Sequence, residues 1–376
     1  MLSTLACGAK QSSCARNVLK QQRANLWLGP LQNGVRGARL GLDNSVDSRG
    51  RLTTQQSATL CQERTTCNLS FADMDFSRQL LSRKKAFVVD CDGVLYHDST
   101  LLPGARAFVD FLQKTDKKYL FLTNSSDKSA SRLVEKFAKL GLRTSEENFY
   151  TSAMSTATFL KRQKRGGRAF VIGEECLKNE LRREGILVID KEAAEMSTPD
   201  FLVVGESASN ELYNFSTVEF AVKIVRRGAR LIGTNEDIYD RIGDEKQPGT
   251  GALILPISTV SGVKPYFVGK PNPLMVRSAL DRLNVSRDDA VVVGDRMNTD
   301  IRAGVEASVD TVLVLSGVTT PEDVITFSYR PSCILTGVGD IAAIIAEHSA
   351  TTKILQAAEE DSVVDYDVDE NENEKL

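Results

Sequence analysis

Two aspartates one residue apart end a short apolar run, Ala86-Phe87-Val88-Val89-Asp90-Cys91-Asp92-Gly93. Residues two apart in an extended chain point to the same side, so Asp90 and Asp92 would crowd together at the end of a buried strand. Like charges held that close are costly unless a cation sits between them. Hard divalent cations such as Mg2+ prefer carboxylate and carbonyl oxygen. The stretch therefore reads as a metal-dependent site with Asp90 as its nucleophile.

Three later positions extend this chemistry. Thr123 ends the apolar run Tyr119-Leu120-Phe121-Leu122, Lys270 follows Val268-Gly269, and Asp295 ends Ala290-Val291-Val292-Val293-Gly294. Open α/β sheets gather such strand ends into one crevice. The set suits phosphoryl transfer through an aspartyl-phosphate. Asp90 would attack phosphorus. Asp92 would protonate the leaving oxygen, then deprotonate the water that hydrolyses the intermediate. The Thr123 hydroxyl and the amides at the start of the following helix suit phosphate oxygens. Lys270 would offset the charge of phosphate and carboxylates. Asp295 would be a further metal ligand, and Asp300 would orient it or a metal-bound water.

The motifs D-x-D-G-V (Asp90 to Val94), T-N (Thr123-Asn124), G-K-P (Gly269 to Pro271) and G-D-x-x-x-T-D (Gly294 to Asp300) occur in that order. In this the chain resembles the haloacid dehalogenase superfamily of phosphatases. The α/β insert between the second and third motifs resembles the class with a C2-type cap. Phe149 to Met154, Val204-Gly205-Glu206-Ser207, Gly228-Ala229-Arg230, Thr234-Asn235 and Leu315 to Val318 are similar to its NagD-like nucleotide phosphatase branch. The resemblance covers residues 86–346. It implies Mg2+ held by the Asp90 carboxylate, the Asp92 main-chain carbonyl and Asp295, with Thr123, Asn124 and Lys270 on the phosphate. It also implies a small phosphorylated metabolite as substrate, nucleoside monophosphate first, and makes a homo-oligomer formed through the cap unsurprising. Phosphoglycolate and 4-nitrophenyl phosphatases are close cousins. Two departures bear on the substrate rather than the reaction. Ser125-Ser126 follow Asn124 where many C2-capped relatives carry a second Asn, and Arg296 in the fourth motif is more like the eukaryotic phosphoglycolate phosphatases.

The elements that must position these residues alternate strand and helix, the pattern of βαβ units on a doubly wound parallel sheet. The expected division is a Rossmann-like core at 84–160 and 262–350 and a smaller α/β cap at 161–261. Asn272-Pro273 marks a helix start, and Gly249-Thr250-Gly251 reads as a cap loop facing substrate. Residues 1–83 read as an N-terminal extension, disordered or a transit peptide, because Met1 to Leu42 has no acid but carries Lys10, Arg16, Lys20, Arg23, Arg36 and Arg39. Residues 351–376 read as an acidic disordered tail. The expected location is cytoplasmic, or mitochondrial or plastid if 1–83 includes a transit peptide.

Composition removes other classes. With 376 residues, 41% hydrophobic and 26% charged, the chain suits two globular domains plus extras. A net charge of −3 gives no basic field for a nucleic acid polymer, and no apolar run approaches the roughly 20 residues of a membrane span. Seven cysteines without a CxxC pair argue against a disulfide framework and a thiolate zinc site. Two histidines, His97 and His348, leave little for a histidine metal site or a Ser-His-Asp triad. Cys176 and Arg182 have the C-x5-R spacing of thiolate phosphatases, but the residues between suit a helix and include no glycine. A non-catalytic phosphometabolite-binding module would not need a nucleophile at Asp90.

Overall fold

The computed structural model describes residues 71–207, 211–242 and 245–348. Runs of apolar residues with no polar face become central strands. Ala86–Val89 and Ala290–Gly294 are buried along their whole length, as parallel strands covered on both sides must be. They pair in parallel at the middle of a six-stranded sheet ordered Cys333–Leu335, Asp310–Val314, Ala290–Gly294, Ala86–Val89, Lys118–Thr123, Phe149–Thr151. Every neighbouring pair in it is parallel. The chain leaves the Ala86–Val89 strand for one side of the sheet and returns later on the other. The carboxyl ends of Ala86–Val89, Lys118–Thr123 and Ala290–Gly294 therefore lie side by side at the switch point where open sheets hold ligands.

Phe121, Phe137 and Phe149 pack with centroids 4.9–5.4 Å apart. They fix the helix Ala130–Lys139 beneath the loop that follows Thr123. On the opposite flank, Asn272 caps the helix Pro273–Leu283 by accepting from the Leu274 N–H at 3.0 Å, with proline at the first turn as the sequence suggests.

A second parallel sheet is ordered Tyr266–Phe267, Arg230–Gly233, Phe201–Val204, Arg168–Ile172, Leu187–Val188. It has its own core, including Ile172, Leu202, Val204, Phe220, Ile224 and Ile254. Tyr266–Phe267 carries this sheet past the expected boundary at 261. An antiparallel hairpin, Tyr239–Ile242 with Glu245–Pro248, rises from it.

Two further expectations need correction. The extension expected over 1–83 is ordered at its end: Phe71–Arg83 is a helix. Leu80 and Leu81 join the main core, and Arg78 meets Glu347 at 3.0 Å, so these residues bury an apolar stripe against the sheet. Gly249-Thr250-Gly251 is not a loop facing substrate. Thr250 opens the helix Thr250–Ser261, is fully buried, and bonds Thr234. Residues 1–70 and the acidic stretch 351–376 lie outside the described residues. Among the described residues, no helix is long and apolar enough to cross a membrane.

Candidate active site

Asp90 and Asp295 stand just past two central strands, Lys270 follows Tyr266–Phe267 of the second sheet, Asp300 lies in the turn Met297–Ile301, and the four side chains converge. Lys270 is buried, with its side chain 4% exposed. Its ammonium donates to Asp90 Oδ1 at 2.5 Å, to Asp300 Oδ1 at 2.7 Å and to the Leu122 carbonyl at 3.1 Å. Three acceptors use all three donors of the ammonium. Burial alone would discharge Lys270, but Asp300 and Asp90 outweigh it and hold its pKa above the ordinary value.

Asp300 thus sits on the lysine. No hydrogen bond joins it to Asp295, and its other oxygen is within reach of the Arg296 N–H and the Thr299 hydroxyl, both at 3.3 Å. A widened π-type turn, Met297–Ile301, presents it, the kind of turn often found at functional sites. The strand end makes room: a Cβ on Gly294 would lie 2.1 Å from Asp300 Cβ.

Oxygens of Asp90, Asp295 and Asp300 lie within 4.8 Å of one another. Burial, then the neighbouring carboxylates, pushes Asp90 up to about 8 against the pull of Lys270. Burial and Asp300 push Asp295 up to about 6. Asp295 Oδ2 accepts from the Val318 N–H at 2.8 Å, while Oδ1 is buried with no hydrogen-bond partner. An orphaned carboxylate oxygen beside two further carboxylates is the donor set of a hard divalent cation. The residues present fit Mg2+. Gly93 keeps that space open: its φ is +76°, and a Cβ there would meet Asp295 Oδ2 at 2.5 Å.

Asp92 points elsewhere. Its side chain is 56% exposed and faces His97 Nδ1 at 3.5 Å. Cys91 between the two aspartates is buried in the core. The Thr123 hydroxyl accepts from the Ser125 N–H at 3.2 Å. Asn124 grips Lys270 through its backbone, accepting from the Lys270 N–H at 2.8 Å and donating to the Lys270 carbonyl at 3.0 Å.

The helix-start amides expected to meet phosphate are not at this loop. The next helix begins only at Ala130, and the Ser126 N–H is given to Glu206 at 3.0 Å. Glu206, Asn235 and Asp237 come from the second sheet's connections, and sequence reasoning assigns them no role. Val204-Gly205-Glu206-Ser207 and Thr234-Asn235 stand out as motifs, but their partners in the loop after Thr123 lie 80 residues or more away in the chain. Cys176 and Arg182 lie within the helix Glu175–Arg183. Arg182 pairs with Glu175, and burial with Asp127 nearby raises the thiol to about 11, so no thiolate site forms.

This parallel α/β architecture, with carboxylates and lysine at the switch point, defines a phosphatase of the haloacid dehalogenase type. The chain belongs to that family, in its NagD-like branch. The model of haloacid dehalogenase-like hydrolases matches residues 87–187, and a second, described as HAD-hydrolase-like, matches 267–341. The chain is 39% identical over 260 residues to the ribonucleotide monophosphatase NagD of Escherichia coli K12, covering 69% of this chain and 99% of the relative. The solved structure of NagD superposes with a TM-score of 0.63 over 68% of this chain and 97% of NagD. A dihydroxyacetone phosphatase of Corynebacterium glutamicum is 34% identical over 68% of this chain and 90% of its own length. A glycerol phosphate phosphatase of Mycobacterium tuberculosis, solved in complex with magnesium, is 28% identical, with a TM-score of 0.64, over 70% of this chain and 77% of that one.

Proposed function

We propose that the protein is a Mg2+-dependent phosphomonoesterase that hydrolyses a small phosphorylated metabolite through a phosphoryl group carried on Asp90. The observation that carries the reading is Asp90 paired with Lys270 beside the orphaned oxygen of Asp295. The Asp90 and Asp295 carboxylates and the Asp92 main-chain carbonyl would hold the ion. Mg2+, when bound, supplies positive charge that keeps Asp90 ionised and draws charge from the phosphate.

Asp90 attacks phosphorus and the ester P–O bond breaks. Lys270 offsets the charge on the phosphoryl oxygens. Thr123 ends the strand beside that of Asp90 and would orient them, and Asn124, whose side chain is spent on the Lys270 backbone and Asp237, would contribute through its main chain. Asp92 stands clear of the buried cluster, where it can give a proton to the departing oxygen. It then takes a proton from the water that attacks the phosphoryl group, releasing phosphate and freeing Asp90. Closure of the cap over the site would limit bulk water.

Nucleoside monophosphate is the first substrate assigned, supported by the resemblance to a ribonucleotide monophosphatase. A second reading, a short phosphorylated acid such as phosphoglycolate, is favoured by Arg296. Its guanidinium is half-buried in the field of Asp295, Asp90, Asp300 and Asp237 and makes no ion pair among the described residues. A panel of phosphate monoesters, with and without Mg2+, on wild type and Asp90→Asn tests the assignment. The account expects Mg2+-dependent turnover that Asp90→Asn abolishes. It fails if no ester is turned over with Mg2+ or if Asp90→Asn keeps full activity. Relative rates on nucleotides and short acids separate the two substrates.

A further inference from the structure

We infer that Glu206, a cap residue, is a positioning residue that holds the loop Thr123–Ser126, and through Asn124 the catalytic lysine, in working geometry. The inference rests on the phosphatase reading of that loop.

Ser126 carries the argument. It belongs to the core loop, yet all its polar groups are engaged by the cap. Its N–H donates to Glu206 Oε2 at 3.0 Å. Its hydroxyl accepts from the Glu206 N–H at 2.9 Å and from the Thr234 hydroxyl at 3.1 Å. Its carbonyl accepts from Cys176 Sγ at 3.0 Å. Ser126 itself is fully buried, so a polar group left there without its partner is costly.

From Glu206 the connection runs inward. Glu206 Oε1 accepts from Asn235 Nδ2 at 2.9 Å, and the same nitrogen donates to the Asn124 carbonyl at 2.9 Å. Asn235 is also fully buried. Asn124 in turn pairs with both backbone groups of Lys270, whose ammonium lies on Asp90. One carboxyl group thus ties Ser126 and Asn235 together, one oxygen to each. Asn124 Nδ2 gains a second cap contact at Asp237 Oδ2, 2.8 Å away. The loop after the second strand is therefore suspended from the cap rather than set only by its own sheet.

Glu206→Ala removes both acceptors. Glu206→Gln keeps the side chain's size but can serve Asn235 or Ser126, not both. The readouts are kcat and KM for a phosphate monoester with Mg2+, and the Ki of inorganic phosphate. Ile224→Val, which loosens the cap core away from the loop, is the control for simple loss of stability. Small misplacements of reacting groups can cost on the order of 10²-fold, so Glu206→Ala should lower kcat about tenfold or more and weaken inorganic phosphate about fivefold. Glu206→Gln should fall between Glu206→Ala and wild type, and Ile224→Val should stay near wild type. The inference is overturned if both Glu206 variants match wild type in kcat and Ki, or if Ile224→Val loses as much as they do. Phosphate binding, followed by calorimetry, needs no turnover. A wild type that hydrolyses nothing therefore counts against the phosphatase reading, while the Glu206 comparison is still read from phosphate.

Discussion

Lys270 holds two carboxylates that would otherwise repel each other across a buried space. Removing one member of such a cluster leaves charge without a partner, at a cost on the order of 3–5 kcal/mol. Lys270→Met should therefore lower the unfolding free energy by about that amount and reduce kcat by about 10²-fold or more, since it also removes positive charge from the phosphoryl group. Denaturant unfolding and steady-state rates measure the two effects. Asp92→Asn should lower kcat by about 10²–10⁴-fold, and KM should fall with it where the phosphoryl group accumulates on Asp90, because the Asp92 carboxyl acts on protons rather than on binding. Asp90, Lys270 and Asp295 are legible in the sequence because each stands just past an apolar run. The placement of Asp300 on Lys270 is not, because it depends on the widened turn Met297–Ile301 and on the bare Cα of Gly294. The exposure of Asp92 and its contact with His97 also escape a pattern that predicts only a crowded pair.

The elements set these residues by close approach. Gly93 takes a left-handed φ of +76° with its Cα against Asp295. Gly93→Ala should strain the turn and displace the Asp295 carboxylate, so that half-maximal activity needs more Mg2+. A Mg2+ titration of the rate would show the shift. The helix Phe71–Arg83 adds fully buried Leu81 to the main core. Leu81→Ala should cost about 2–5 kcal/mol in denaturant unfolding while leaving KM unchanged.

At the end of that helix, buried Lys84 donates to Asp310 Oδ2 at 2.7 Å. Burial pushes Asp310 up, but the Lys84 and Ser332 bonds prevail and hold its carboxyl below the usual range. A carboxyl depressed in the fold contributes stability above its unfolded pKa of about 3.9 and loses it as pH falls through the folded value. Thermal unfolding of Lys84→Met should therefore differ from wild type at neutral pH and converge with it in strong acid. The strands of the main sheet are readable because their apolar runs are unbroken. The hairpin Tyr239–Ile242 with Glu245–Pro248 is not, because its charged residues give no alternation. The Phe71–Arg83 helix is hidden by the polar, acid-poor stretch before it.

At the scale of the whole molecule, core and cap share one polar seam at Ser126, Glu206, Asn124, Asn235 and Asp237. The sequence shows that a cap exists, because an α/β rhythm restarts between the second and third motifs. It does not show the seam, whose members are polar and distant in the chain. The proposed chemistry also requires an ion among the crowded carboxylates. Chelation should abolish turnover, and added Mg2+ should restore it. Mg2+ should also raise the thermal midpoint, since an ion bound only by the folded state stabilises that state.

The central claim is that phosphate passes through Asp90. Wild type and Asp92→Asn, mixed with 4-nitrophenyl phosphate and Mg2+ and quenched in acid, can be digested and weighed peptide by peptide. The ester's good leaving group needs little proton assistance, whereas hydrolysis of the intermediate does. The account predicts one phosphoryl group on the peptide containing Asp90, more abundant in Asp92→Asn than in wild type. Turnover by wild type with no phosphoryl group on that peptide in either protein would contradict it.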